Sequence, residues 1–213
     1  MTDDQAPAVT NEQTDPTYDA YVSAVGSVAR SWNRLQEYLG HLFSVVTGLL
    51  PTTAFSIWYS TDNDRAQRNM LRAVILANDI SEVHPRFPNA TSDLLWLIDR
   101  ANALADSRND AIHTPCDLVI DELGRTDVSA LTTAFFYGHP RAKKLANKDV
   151  LQEFDWCEQS AITLAKFARD MAIILNEYRK DARRRFAWPN RPSLPDRRPK
   201  KALQGPRRQP RTR

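Results

Sequence analysis

Glycine and cysteine are scarce in this chain of 213 residues, and uninterrupted apolar sequence is missing. Six glycines, none in a phosphate-cradling pattern, exclude the Gly-rich nucleotide loops. Two cysteines, Cys116 and Cys157, supply neither a disulfide framework nor a four-thiolate zinc site, and they form no Cys-x-x-Cys pair. No run of about eighteen uncharged apolar residues occurs, and the first twenty residues are acidic and polar where a secretory leader is basic and then apolar. A cytoplasmic location is expected. His84 and His139 each precede a proline and show no ligand spacing, so neither a metal nor a cofactor is expected.

Charge is present but segregated. The formal net charge is +3, yet residues 183–213 hold twelve Lys/Arg against one acid, Asp196, leaving 17 basic and 25 acidic residues in 1–182. Six of the thirteen prolines follow Trp188. The expected organisation is therefore a disordered arm over 1–16, one folded domain over 17–182, and a disordered basic tail over 183–213. In the tail Arg183, Arg184, Arg185, Arg197, Arg198, Lys200 and Lys201 suit phosphates, and Phe186 and Trp188 suit stacking on bases. A solubilising tail, or one that touches the acidic body or an anionic membrane, fits the same composition.

The folded part reads as helical. Tyr21, Val25, Val28, Trp32, Leu35, Leu39, Leu42, Val46 and Leu49 recur every three or four positions, and Gly48 and Pro51 supply the stop. A short helix fits Thr52 to Ser60, and Asp62 or Asn63 is placed to cap the next, with Ala66, Met70, Val74 and Ile75 inward. Thr91 or Ser92 is expected to cap a helix through Leu94, Leu95, Ile98, Ala101 and Leu104, which Pro115 ends near His113. Residues 116–147 read poorly, with DLVIDE as one short strand and Phe135-Phe136-Tyr137 as a buried anchor or a stacking surface. A long last helix from Lys148 carries Leu151, Phe154, Cys157, Ala161, Leu164, Phe167, Met171, Ile174 and Tyr178. The fold expected is an all-α up-and-down bundle with its two longest helices side by side and Trp32, Trp58, Trp96 and Trp156 as core anchors.

One segment joins a cation, an amide and an imidazole: Arg108-Asn109-Asp110-Ala111-Ile112-His113. Asn109 and His113 share a helical face, whereas Arg108 lies about 140° from His113, a gap a long side chain closes. A helix C-terminus favours a protonated imidazole, and a guanidinium suits phosphate. On the first helix Asn33, Glu37 and His41 are spaced four apart and share a face. The plain alternative is that Arg108 pairs with Asp106 or Asp110 while Asn109 and His113 cap a helix end.

Arg108, Asn109 and His113 resemble the signature of the HEPN family (higher eukaryote and prokaryote nucleotide-binding domains): Arg, a polar residue, three more, then His. The likeness covers roughly residues 17–182, with its specific part confined to those six positions; in many members a long first helix adds a polar residue to the same pocket, which implies Asn33 and Glu37, joined by His41, as a supporting pocket here. It implies metal-independent endoribonuclease action at a site shared by two subunits, with His113 as general acid or base, Arg108 stabilising charge on the phosphate and Asn109 orienting them. It also implies a homodimer, RNA as substrate, a toxin or phage-defence role and an antitoxin or regulatory protein as partner. Two features depart from the pattern: Thr114-Pro115 follows His113 where many members have glycine, and no tyrosine stands just beyond it. A non-catalytic nucleic-acid-binding or regulatory module is the competing reading.

Overall fold

The computed structural model describes residues 16–78, 86–113, 117–120, 126–132, 140–145 and 148–197. Cys116, His84, His139, Arg198, Lys200, Lys201, the 135–137 aromatics and the arm before Pro16 lie outside them. Helix α1 (Pro16–Thr47) leads to α2 (Pro51–Trp58), α3 (Asp64–Asn78), α4 (Ala90–Ile112), a strand pair β1 (Asp117–Ile120) and β2 (Thr126–Thr132), α5 (Pro140–Leu145) and α6 (Val150–Lys180). The all-α class holds. The DLVI of DLVIDE forms one short strand as expected, β1, and it pairs antiparallel with β2, a strand the sequence did not mark, with Asp117 opposite Thr132 and a register shift between Leu118 and Ile120.

α1 and α6 pack side by side and run in the same direction, since Tyr21 meets Phe154 near their starts and Arg179 Nη1 donates to Val45 O near their ends. Val28, Trp32, Leu35, Leu39 and Leu42 from α1 meet Phe154, Cys157, Ala161, Leu164 and Met171 from α6 in one buried core. Each large aliphatic side chain buried there contributes about 1.5–3 kcal/mol. α1 ends at Gly48, whose φ of +73° suits a residue without Cβ and turns the chain out of the helix. The α2 segment brings the chain back towards the level of Trp32.

Gly40 lets α2 lie directly on α1: a Cβ there would stand 2.9 Å from Phe55 Cε1 and 3.2 Å from Trp58 Cδ1. Asn63 then caps α3 as its position suggests, its Oδ1 accepting from the backbone N–H of Arg65 and Ala66. α3 runs parallel to α1, as Trp32 pairs with Asp64 and Asn78 with Val46 O. α4 runs against α3 through the rungs Arg65–Asp106, Arg68–Asn102 and Arg72–Asp99.

The start of α4 corrects the expected cap. The helix begins at Ala90 after a turn in which Ala90 N–H donates to Phe87 O, and Asn89, not Thr91 or Ser92, is the cap residue. Ser92 Oγ instead donates back to Asn89 O. Asp149 caps α6, accepting from Gln152 N–H at 3.1 Å.

Candidate functional site

His113 is the C-cap of α4, its backbone N–H donating to Asn109 O at 3.1 Å, and the helix stops where the Pro115 effect on Thr114 requires. One turn earlier Arg108 Nη1 donates to Asn109 Oδ1 at 2.7 Å. The guanidinium carbon lies 5.2 Å from the centroid of the Trp32 ring, and Arg108 Nε is enclosed without a partner. Burial lowers the Arg108 pKa, with the negative charge of Asp64 working against the shift.

Arg68 approaches the same indole. Its guanidinium carbon is 5.4 Å from the Trp32 centroid, its Nε donates to Asn102 Oδ1 at 2.7 Å, and its Nη1 is buried without a partner. Burial brings its pKa down to about 10, opposed by Asp64. Asp64 accepts from Trp32 Nε1 at 2.8 Å, so one indole joins two partly or wholly buried cations to one carboxylate. Electron-rich ring and anion together offset the desolvation of the guanidiniums.

The simple ion-pair alternative for Arg108 is corrected here. Asp106 pairs with Arg65 at 2.9 Å, and Asp110 pairs with Lys144 at 2.8 Å. Among the described residues no hydrogen bond, ion pair or ring contact joins the exposed His113 side chain to Arg108 or Asn109. Arg141 Nη1 donates to Asn109 O at 3.0 Å, tying α5 to this end of α4.

Asn33, Glu37 and His41 do come together, in an open groove of about 1010 Å³ lined also by Arg30, Arg34, Tyr38, Phe55 and Tyr59. The groove is not lined by Arg108, Asn109 or His113. At 100° per residue Asn33, Glu37 and His41 lie about 100°, 140° and 180° round α1 from Trp32, on which Arg108 stacks. The two halves of the expected pocket therefore occupy different faces of one helix. The four-residue steps Arg30–Arg34–Tyr38 and Phe55–Tyr59 were legible signals for the remaining groove residues.

The basic tail requires the largest correction: residues 183–197 are a strap laid along the body. Arg86 Nη1 donates to Ala182 O at 2.7 Å, Trp188 Nε1 to Asp93 Oδ2 at 2.7 Å, and Trp156 Nε1 to Pro195 O at 3.0 Å. Arg191 pairs with Asp93, and Arg197 grips both carboxylate oxygens of Glu153 while lying 4.7 Å above the Trp156 ring. Phe186, Trp188 and Leu194 pack against the core edge, and Trp188 stands 5.1 Å from Phe87. The reason is complementarity: the acidic body supplies carboxylates, and prolines pre-extend the segment that reaches them.

Of the phosphate-binding candidates, Arg197 is held by Glu153, whose hydrogen bond raises its pKa, and Arg184 contacts Glu177 at 3.3 Å. Arg183 and Arg185 are exposed. Cys157 is buried and its thiol is pushed up to about 12, chiefly by burial, so it belongs to the core. No described helix is long and apolar enough to cross a membrane, and no three described His, Cys, Asp or Glu side chains are grouped to hold a metal ion. Comparison with protein-family models, with curated proteins and with solved structures found no match.

Proposed function

We propose that the chain acts on RNA as a metal-independent endoribonuclease of HEPN type, through Arg108, Asn109 and His113. The 2.7 Å hydrogen bond from Arg108 to Asn109 carries this reading. Asn109 and His113 are four residues apart, so the bond ties the guanidinium to a residue on the helical face that His113 shares. Among the described residues Arg108 Nη2 makes no hydrogen bond, and a guanidinium N–H pair suits a phosphate oxygen.

In this reading His113 takes the proton of the ribose 2′-hydroxyl or gives one to the departing 5′-oxygen. The 2′-oxygen attacks phosphorus, the bond from phosphorus to the 5′-oxygen breaks, and the products are a 2′,3′-cyclic phosphate and a 5′-hydroxyl. Arg108 stabilises charge on the phosphoryl oxygens, and Asn109 holds Arg108 in place. Acid and base work at once asks for two imidazoles, so a second copy of the chain completes the site. A toxin or phage-defence role and an antitoxin partner rest on the family resemblance alone.

A second reading, a non-catalytic nucleic-acid-binding or regulatory module, is favoured by the inward hold on Arg108. Trp32 carries its guanidinium, and its Nε is closed off from any ligand. Incubation of labelled RNA with the full chain and with His113→Ala separates the two. The nuclease reading expects cleavage by the parent and at least a hundredfold loss in the variant, with RNA affinity kept. An uncut substrate at chain concentrations that support dimerisation assigns the protein to the second reading.

A further inference from the structure

The groove on the outer side of α1 is a continuous ladder of charge and ring. Arg34 lies 5.8 Å over the Tyr38 ring, Tyr38 meets His41 at 6.0 Å, His41 sets its edge on Phe55 at 4.9 Å, and Phe55 stacks on Tyr59 at 5.8 Å and 18°. Tyr59, at the free end of the ladder, is 61% exposed. Arg30 and Arg34 are exposed, and among the described residues neither makes a hydrogen bond or an ion pair. The groove therefore offers an open aromatic face beside two cations that form no ion pair among the described residues.

We infer that this groove binds single-stranded nucleic acid, with a base stacked on Tyr59 and phosphates on Arg30 and Arg34. Two features select that occupant. Guanidiniums without an ion pair among the described residues call for an anion, and an exposed ring stacked on Phe55 calls for a flat partner; single strands supply both in one repeating unit. Asn33 and Glu37, in the same groove, offer an amide and a carboxylate to base edges. The acidic arm before Pro16 has the right charge but no aromatic residue, and the basic segment beyond Arg197 has the wrong charge. A second copy seated by two-fold symmetry would set this cationic patch against itself.

Because the groove lies on a different face of α1 from Trp32, this inference does not rest on RNA cleavage at Arg108 and His113. The test uses the full chain and a fluorescein-labelled oligoadenylate of about ten nucleotides, followed by anisotropy across a salt series. Tyr59→Ala is expected to weaken binding about tenfold. Arg30→Gln with Arg34→Gln is expected to flatten the logarithmic salt dependence by about 1.4, or 0.7 for each lost phosphate contact.

Binding by both groove variants within twofold of the parent at every salt concentration overturns the inference, as does a parent that does not bind the oligonucleotide. Sedimentation adds a further arm. A parent dimer that Tyr59→Ala converts to a monomer of unaltered oligonucleotide affinity gives the groove to a second copy and likewise overturns it. Retained binding without any cleavage leaves the groove in place and removes the nuclease reading alone.

Discussion

Trp188 donates its indole N–H to Asp93 across 95 residues of sequence, at 2.7 Å, and Arg191 approaches the other oxygen of the same carboxylate. This pairing fixes the strap over the start of α4 and places Trp188 against Phe87. Trp188→Ala removes a hydrogen bond to a charged group and an aromatic contact, and should destabilise the chain by about 2–4 kcal/mol. Truncation after Lys180 should cost at least as much. Urea unfolding measures both, and a truncated chain as stable as the parent would show that the strap is not part of the folded unit.

Trp32 joins α1 to α3 and α4 by one ring and one N–H. Trp32→Phe keeps a ring for Arg68 and Arg108 but loses the bond to Asp64, for an expected cost of about 1.5–3 kcal/mol. Trp32→Ala removes the ring as well and should cost about 3–5 kcal/mol. Equal costs for the two substitutions would mean that the ring does not support the buried guanidiniums.

Gly40→Ala places a methyl group 2.9 Å from Phe55 and 3.2 Å from the fully buried Trp58. The α2 segment has to move away from α1, at about 1–3 kcal/mol. The same movement disturbs the His41–Phe55 contact, so thermal unfolding and aromatic circular dichroism should change together. An unchanged melting temperature would contradict the close approach of α2.

Cys157 should be inert in the native chain. A thiol pushed up to about 12 has its thiolate suppressed below that pH, and the side chain is enclosed as well. In a Cys116→Ser background, a disulfide reagent at pH 8 should modify Cys157 at least a hundredfold more slowly before denaturation than after. Rapid native labelling would show that the junction of α1 and α6 opens readily.

The long helices were legible because their apolar stripes repeat over many turns, and because Gly48 and Asn63 mark ends by local chemistry. The start of α4 was not, since Thr91 and Ser92 look like caps until the Phe87 turn is formed. The strap was misread for a physical reason. Its apolar residues are isolated in sequence, and the groups that seat them, Asp93, Phe87, Trp156 and Glu153, come from elements 39 or more residues away. Spacing grouped Asn33, Glu37 and His41 correctly, but periodicity along α1 could not tell which of its faces α4 would meet. Arg108 chose the Trp32 face, through packing with α3 that no local pattern records.

RNA products made in excess chelator test the central claim most directly. The account predicts strand scission that leaves a 2′,3′-cyclic phosphate and a 5′-hydroxyl, and that stops when the ribose at the cut carries a 2′-O-methyl group or when His113 is replaced by Ala. Scission that persists on the 2′-O-methyl substrate, or with His113→Ala, would contradict attack by the neighbouring hydroxyl at this histidine.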